Sequence, residues 1–445
     1  MEAAVLGELD LAVSWESLED GTPEECAAFG QFEIRCGTVC LTEGYDHYIR
    51  ALRGGPLVSG YHVAEWMAWN WWRLRWEPRR QPQDAPEWWR AHEMTAIGEG
   101  YTWPNLVIYS DGIRTVLQAR RSLEPDAKPF RYMGALPCIV PSGQFEDAVD
   151  AFLSQILGRL DSVSLKNTTL HAVWQEVQRE RSDPALTMRR RFEASLGFEP
   201  DHDEQAIDGL LCDAERLGAE AMLELAADHR QGTAIPRAAN LDDLARSTGL
   251  QGAVGDRACL NDKSTWFQNL SEIPAWVVGK QIAQALRSQE GLGDGPITND
   301  LLCTMAGLSA NALEQDRVGS DISFVLDEQE TSRVVLRSKW PTGRRFDLAR
   351  LLGDCLFGQD ERHLFPATRS HTYRQKFQRA FAAEFLAPFT EVVSLMGSDT
   401  SEESRINVAK RFDVSELTIR TALVNNNYLD RDELDEGVGQ GFAAA

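Results

Sequence analysis

Four side chains able to ligate a metal or move a proton lie close together in the C-terminal third: Asp354, Cys355, His363 and His371. Carboxylate, imidazole and thiolate together would suit a borderline-soft cation such as zinc. Two steps of eight residues across a loop fit no known metal motif, so unrelated residues are the simpler reading. Cations are denser in the same stretch: Arg344, Arg345, Arg350, Arg362, Arg369, Arg374, Lys376 and Arg379 fall within 36 residues of an acidic chain. If Arg344, Arg345, Arg350, Arg374 and Arg379 face one cleft, they would hold an anion: a phosphate, a nucleotide, nucleic acid or an acidic protein tail. The bland alternative pairs them with Asp347, Asp360, Glu361 and Glu384. Elsewhere, His92-Glu93 opens like a zinc-binding phrase, but Ala96 stands where the second histidine is needed. No Gly-rich phosphate loop and no G-x-S-x-G elbow occurs, so no catalytic residue is assigned.

Two helices must position this cluster. Phe346, Leu348, Ala349, Leu352, Cys355 and Leu356 recur at helical spacing after Arg344. Phe377, Ala380, Phe381, Ala383 and Phe385 do the same before Pro388, which stops the run. A polar loop is expected between them. Upstream, VVGKQIAQALRSQ predicts a helix ending near Gly291, Pro296-Ile297 a break, and NDLLCTMAGL a second helix. SFVLDE (323–328) and SRVVLRS (332–338) predict a hairpin around Gln329 to Thr331.

In this order the phrases resemble the ImmA/IrrE family of zinc-dependent endopeptidases, over roughly residues 275 to 430. Arg344, Arg345, Phe346, Leu348, Ala349, Leu352 and Gly353 match the family's first helical phrase. Phe381, Ala382, Ala383, Glu384, Leu386 and Pro388 match the second. The chemistry departs from the family. An HExxH motif sets two histidines one turn apart to hold zinc, with a glutamate as base. The resemblance puts Arg350, Leu351 and Asp354 at those positions, and the third, acidic ligand among Tyr373 to Phe377, where no acid stands. A cation at Arg350 would repel zinc. The resemblance therefore implies a degenerate, zincin-like scaffold without its metal, acting by binding.

After Pro388, FTEVVSLMG predicts a helix, and RINVAKRFDVSELTIRTALVNNNYL (405–429) has helix-turn-helix form. Ala409, Phe412, Val414, Ile419 and Leu423 stand where that motif buries apolar residues, Ser415 caps the second helix, and Asp413 replaces the usual turn glycine. The related peptidases carry a similar segment as a structural part. As a DNA reader it would use Arg420, Asn425 and Asn426, a poor set for phosphate contact. Residues 431–445, acidic and then Gly/Ala-rich, are expected to be disordered.

The first 165 residues read as an α+β domain: strands at LDLAVSW (9–15), FEIRC (32–36) and TVCLT (38–42), a hairpin at 105–120 turning on Ser110-Asp111-Gly112, a strand at PCIVPSG, and a helix at 143–163. YHVAEWMAWNWWRLRWEP (61–78) predicts one Trp-rich helix capped by Ser59. Its aromatics could stack bases or grip a partner, but apolar residues on every side favour burial. Residues 166–270 read as helical, with Arg189-Arg190-Arg191 expected on a solvated helix face.

The composition, 43% hydrophobic and 25% charged, is that of a soluble globular chain, and 445 residues suffice for several cores. A net charge of −23 argues against coating nucleic acid through the overall field. The eight cysteines are scattered without a CxxC pair, no signal peptide is read in the acidic first residues, and no apolar run is long enough to span a membrane. The expectation is a mainly helical α+β protein of the bacterial cytoplasm: an N-terminal domain (1–165), a helical middle (166–270) and an ImmA/IrrE-like domain (271–430). It is expected to bind a protein partner or an anion in stress response, mobile-element control or phage defence, without cofactor. A DNA-binding regulator and a peptidase with a rebuilt metal site are the alternatives.

Overall fold

The computed structural model describes residues 7–80, 87–123, 129–230, 233–261, 269–314, 319–357 and 363–430. The protein is α+β and mainly helical. Two compact units divide the chain: the first comprises residues 2–208 and 229–233, the second 209–228 and 234–445.

The first unit opens with β1 (Leu9–Trp15), α1 (Pro23–Ala28), β2 (Phe29–Cys36), β3 (Val39–Cys40), β4 (Gly44–Asp46), β5 (Ala51–Arg53) and β6 (Leu57–Ser59). Along β1, Leu9, Leu11 and Val13 point inward and Asp10 outward, the two-residue alternation of a half-buried strand. β1 and β3 flank β2, and β6 pairs with its other end. The helices α2 (Gly60–Trp69) and α3 (Trp71–Trp76) follow, then α4 (Trp88–His92), β7 (Leu106–Ser110), β8 (Arg114–Ala119), β9 (Phe130–Tyr132), β10 (Pro137–Pro141), α5 (Ser142–Ser162), α6 (Thr169–Ser182) and α7 (Pro184–Leu196). Strands β10, β8 and β7 form one antiparallel sheet, and β5, β4 and β9 another.

The expected Trp-rich helix is two helices, broken at Asn70, whose side-chain amide caps the first by donating to Trp66 O at 2.8 Å. Trp66, Trp71 and Trp72 are buried, as all-round apolarity predicts, whereas Trp69 is exposed. The arginine run is no solvated face. Arg190 is buried among Glu180, Glu193 and Asp201 at 2.7, 2.7 and 2.9 Å. Arg191 stacks on Trp76, 4.1 Å from the ring centre. A second buried knot centres on Glu77, with Arg73 at 2.8 Å, Arg80 at 3.0 Å and His92 at 3.1 Å, the imidazole stacked on Trp88.

α8 (Glu204–Leu217) runs across the boundary in sequence. The second unit then contains α9 (Ala219–Ala227), α10 (Ala238–Thr248), β11 (Leu250–Arg257), α11 (Ala275–Gln289), α12 (Asn299–Met305), β12 (Ala306–Leu308), β13 (Ser323–Glu328), β14 (Thr331–Val335), α13 (Pro341–Leu356), β15 (Leu364–Ala367), α14 (Tyr373–Leu386), α15 (Phe389–Met396), α16 (Glu402–Phe412) and α17 (Glu416–Asn425). Its antiparallel sheet has the order β12-β11-β14-β13-β15. Three strands of this unit were not expected: β11, in the stretch read as helical, β12, at the end of the stretch NDLLCTMAGL read as a helix, and β15, in the stretch read as loop. Glycines bring the helices close. A Cβ on Gly353 of α13 would lie 2.5 Å from the Phe381 ring of α14, and one on Gly279 of α11 would lie 2.6 Å from Phe377 O. Both positions therefore need a residue without a side chain. Among the described residues, no helix is long and apolar enough to cross a membrane.

Candidate functional site

α13 is buried almost all round, with Arg344, Arg345, Asp347, Arg350 and Asp354 inside alongside its apolar residues. Buried charge is costly unless paired, so these side chains must find partners. Arg350 and Asp354, four residues apart, lie on one helix face. α14 is capped by Thr372, whose hydroxyl accepts from Gln375 N, and so presents Arg374, Gln375 and Gln378 to the same region.

Asp354 receives Arg374 in a side-on bidentate pair, Nε to Oδ1 and Nη2 to Oδ2, both at 2.6 Å. Arg350 Nη2 donates to Thr368 O at 2.6 Å and to Gln375 Oε1 at 2.7 Å. The Gln375 and Gln378 amides both donate to Pro366 O at 3.0 Å. Thr368 N completes the mesh by donating to Gln375 Oε1 at 2.8 Å. The nearest carboxylate to Arg350 is Asp347 at 4.0 Å, which is itself held by Ser323 Oγ at 2.9 Å. The end of β15 is thus tied to both helices by side chains alone.

α9 supplies the remaining acid. Glu224 is buried, and its Oε2 accepts from Thr372 Oγ1 at 2.7 Å. Burial pushes its carboxyl up to about 7, against the pull of Arg374 and the Thr372 and Gln375 hydrogen bonds. Burial and the neighbouring Arg350 guanidinium bring Arg379 down to about 9, and its Nη2 donates to Ser370 O at 3.0 Å. For Arg374, burial alone would lower the pKa, but the Asp354 carboxylate outweighs it and the net shift is upward.

The other residues singled out by sequence take no part in the bonds just described. Arg345 is buried, donating to Asn299 Oδ1 and Ile297 O at 2.6 Å, with Asp413 at 3.5 Å. Arg344 is buried too. The Cys355 thiol, half-buried and pushed up to about 12 by desolvation, stays protonated. His363 is exposed and His371 half-buried. Among the described residues, no group of three or more His, Cys, Asp or Glu side chains is placed to hold a metal ion. Asp360, Glu361 and Arg362, and the tail 431–445, lie outside the described residues.

α16 and α17 meet at Asp413, which adopts the left-handed conformation a glycine usually supplies (φ 52°), and Ser415 Oγ accepts from Thr418 N at 3.2 Å. On α17, Arg420 lies 3.6 Å from Glu416, and that carboxylate also takes Arg405 at 2.7 Å. Asn426 caps the helix by donating to Ala422 O, whereas Asn425 is exposed.

Chemically the centre is a buried network of guanidiniums, amides and carboxylates, in which Arg350 Nε and Arg374 Nη1 find no hydrogen-bond partner among the described residues. Its positive charges are guanidiniums of the chain, and one of its carboxyls, that of Glu224, titrates near neutrality. Glu224 was not among the residues singled out by sequence. The signal was there: a lone acid between Leu223 and Leu225 in the apolar run AEAMLELAA. No family model matches the chain, and no match is found among curated proteins or solved structures.

Proposed function

We propose that the chain is a non-catalytic, regulatory binding protein whose second unit is a degenerate ImmA/IrrE-type peptidase. The observation that carries this reading is the buried set Arg350, Asp354 and Arg374. By the resemblance, Arg350 and Asp354 stand in place of the two zinc-binding histidines, Leu351 in place of the general base, and Arg374 within the stretch of the third ligand. Arg374 occupies both oxygens of Asp354 at 2.6 Å, so the one anionic ligand left at these positions holds a guanidinium. Arg350 places a second positive charge beside it, and a divalent cation would meet net repulsion there. Because Arg345, Arg350 and Arg374 already bind groups of the chain, the arrangement favours a protein partner over an anion held at these guanidiniums. The resemblance implies a bacterial cytoplasmic setting in stress response, mobile-element control or phage defence.

A titration tests the reading. Zinc binding only to the folded chain would raise its unfolding midpoint, and a chelator would reverse the rise. The expected result is a midpoint indifferent to both. A chelator-reversible, saturable stabilisation lost in Asp354→Ala would replace this reading with that of a metallopeptidase.

A further inference from the structure

The first unit carries a surface that its own fold does not use. In the hairpin of β4 and β5, Asp46 pairs with Ala51, leaving His47 to Arg50 as the loop. Asp46 Oδ1 accepts from Tyr48 N at 2.9 Å and from Ile49 N at 3.3 Å, and Arg50 takes a left-handed conformation (φ 56°). The loop is thus fixed, yet what it fixes is apolar and in water: Tyr48 is 92% exposed and Leu52 63%, with Ile49 half-exposed beside them. Folding gains little from apolar groups it leaves wet.

Three features define what would cover this surface. First, β5 is an edge: it pairs with β4 and with no other strand among the described residues. Its outer N–H and C=O groups are a template for another strand. Second, Leu52, Tyr45 and Arg131 stand opposite one another in register across β5, β4 and β9, so they share one face. Third, Arg50 and Arg131 are exposed and form no ion pair among the described residues, although acids outnumber basic residues 68 to 45 in the chain. Exposed cations at the rim of an apolar edge favour an anionic neighbour.

We propose that the β4–β5 hairpin and the outer edge of β5 form a docking surface for an acidic, extended segment of a partner protein, which adds to the sheet as a strand. Backbone pairing along β5 would supply affinity, and alternate side chains would choose between Leu52 and the arginines. Single-stranded nucleic acid fits less well: Tyr48 offers one ring for stacking, Ile49 and Leu52 offer none, and two arginines do not make a groove that tracks a phosphate chain. This goes beyond the reading of the second unit and stands on the first unit alone.

The test uses the full-length protein and a fluorescein-labelled peptide of alternating Glu and Val, followed by fluorescence polarisation at low salt. The peptide is expected to bind, and added salt to weaken it. Tyr48→Ser/Leu52→Ser and Arg50→Glu/Arg131→Glu should each lose about tenfold or more in affinity. An N-methylated version of the peptide, unable to pair as a strand, should not bind. All four substituted side chains are exposed, so the variants should keep the parent's circular dichroism. Absence of peptide binding overturns the proposal, as does equal binding by the variants or by the N-methylated peptide. Tighter binding of a Lys–Val peptide, oligo-dT or phosphatidylserine vesicles overturns it too, assigning the surface to another class of ligand.

Discussion

Replacing Glu224 by glutamine should stabilise the second unit, and increasingly so as pH rises. In the folded chain the Glu224 carboxyl titrates at about 7, against a usual 4.5, because burial disfavours its ionised form. Below about pH 4.5 both the folded and the unfolded chain hold this proton, and the group contributes no pH dependence. Between the two values only the unfolded chain releases it, so stability falls as pH rises, by about 1.4 kcal/mol per pH unit. Above about pH 7 both forms are ionised, and the accumulated cost levels off at about 3 kcal/mol. Glutamine keeps an oxygen for the Thr372 hydroxyl and has no charge to bury. Urea unfolding of parent and Glu224→Gln at about pH 5.5 and about pH 8 would read this directly. The advantage of the variant should grow by about 2 kcal/mol between the two conditions. A difference that does not change with pH, or a variant less stable at both, would refute the assignment of a buried, hard-to-ionise acid.

Three further outcomes follow from the same geometry. Asp354→Asn strips the charge partner from buried Arg374 and should cost about 3–5 kcal/mol in urea unfolding, whereas Asp354→Leu/Arg374→Leu should recover much of the loss. In the first unit, burial would raise the Glu77 carboxyl, but His92, Arg73 and Arg80 overcome this and hold it at about 2. That depressed value stabilises the fold above about pH 4.5 and is lost as pH falls towards 2, so Glu77→Gln should destabilise the chain near neutrality and flatten the acid limb of its stability curve. For α17, with Arg420 drawn to Glu416, fluorescence anisotropy should find no salt-steep binding of duplex DNA, and Arg420→Ala should change nothing.

Much of the second unit's helical frame was legible because its periodicity is strong. Helices α11, α13 and α14 lie where their apolar residues repeat, Ser415 caps α17 as read, and the hairpin of β13 and β14 turns at Gln329, which takes a positive φ. What escaped depends on partners distant in sequence. β11 contains Gly252 and Gly255 and carries no clear alternation; it is a strand because β12 and β14 flank it. β15 is too short to announce itself, and pairing with β13 makes it a strand. The break at Asn70 follows from a side-chain cap, which spacing of apolar residues does not reveal. The arginines were legible as a cluster. Their burial was not, because periodicity does not say that Arg374 will meet Asp354, or that Thr368 O and Gln375 will hold Arg350.

In the reading proposed above, Arg374 fills both oxygens of Asp354, Arg350 adds a second positive charge, and no place is left for a metal. Elemental analysis of the purified protein, beside Asp354→Ala/Cys355→Ala, tests it most directly. No stoichiometric zinc, or any other transition metal, is expected in either sample. Stoichiometric zinc in the parent that disappears in the double variant would contradict it and restore the reading of a working metallopeptidase.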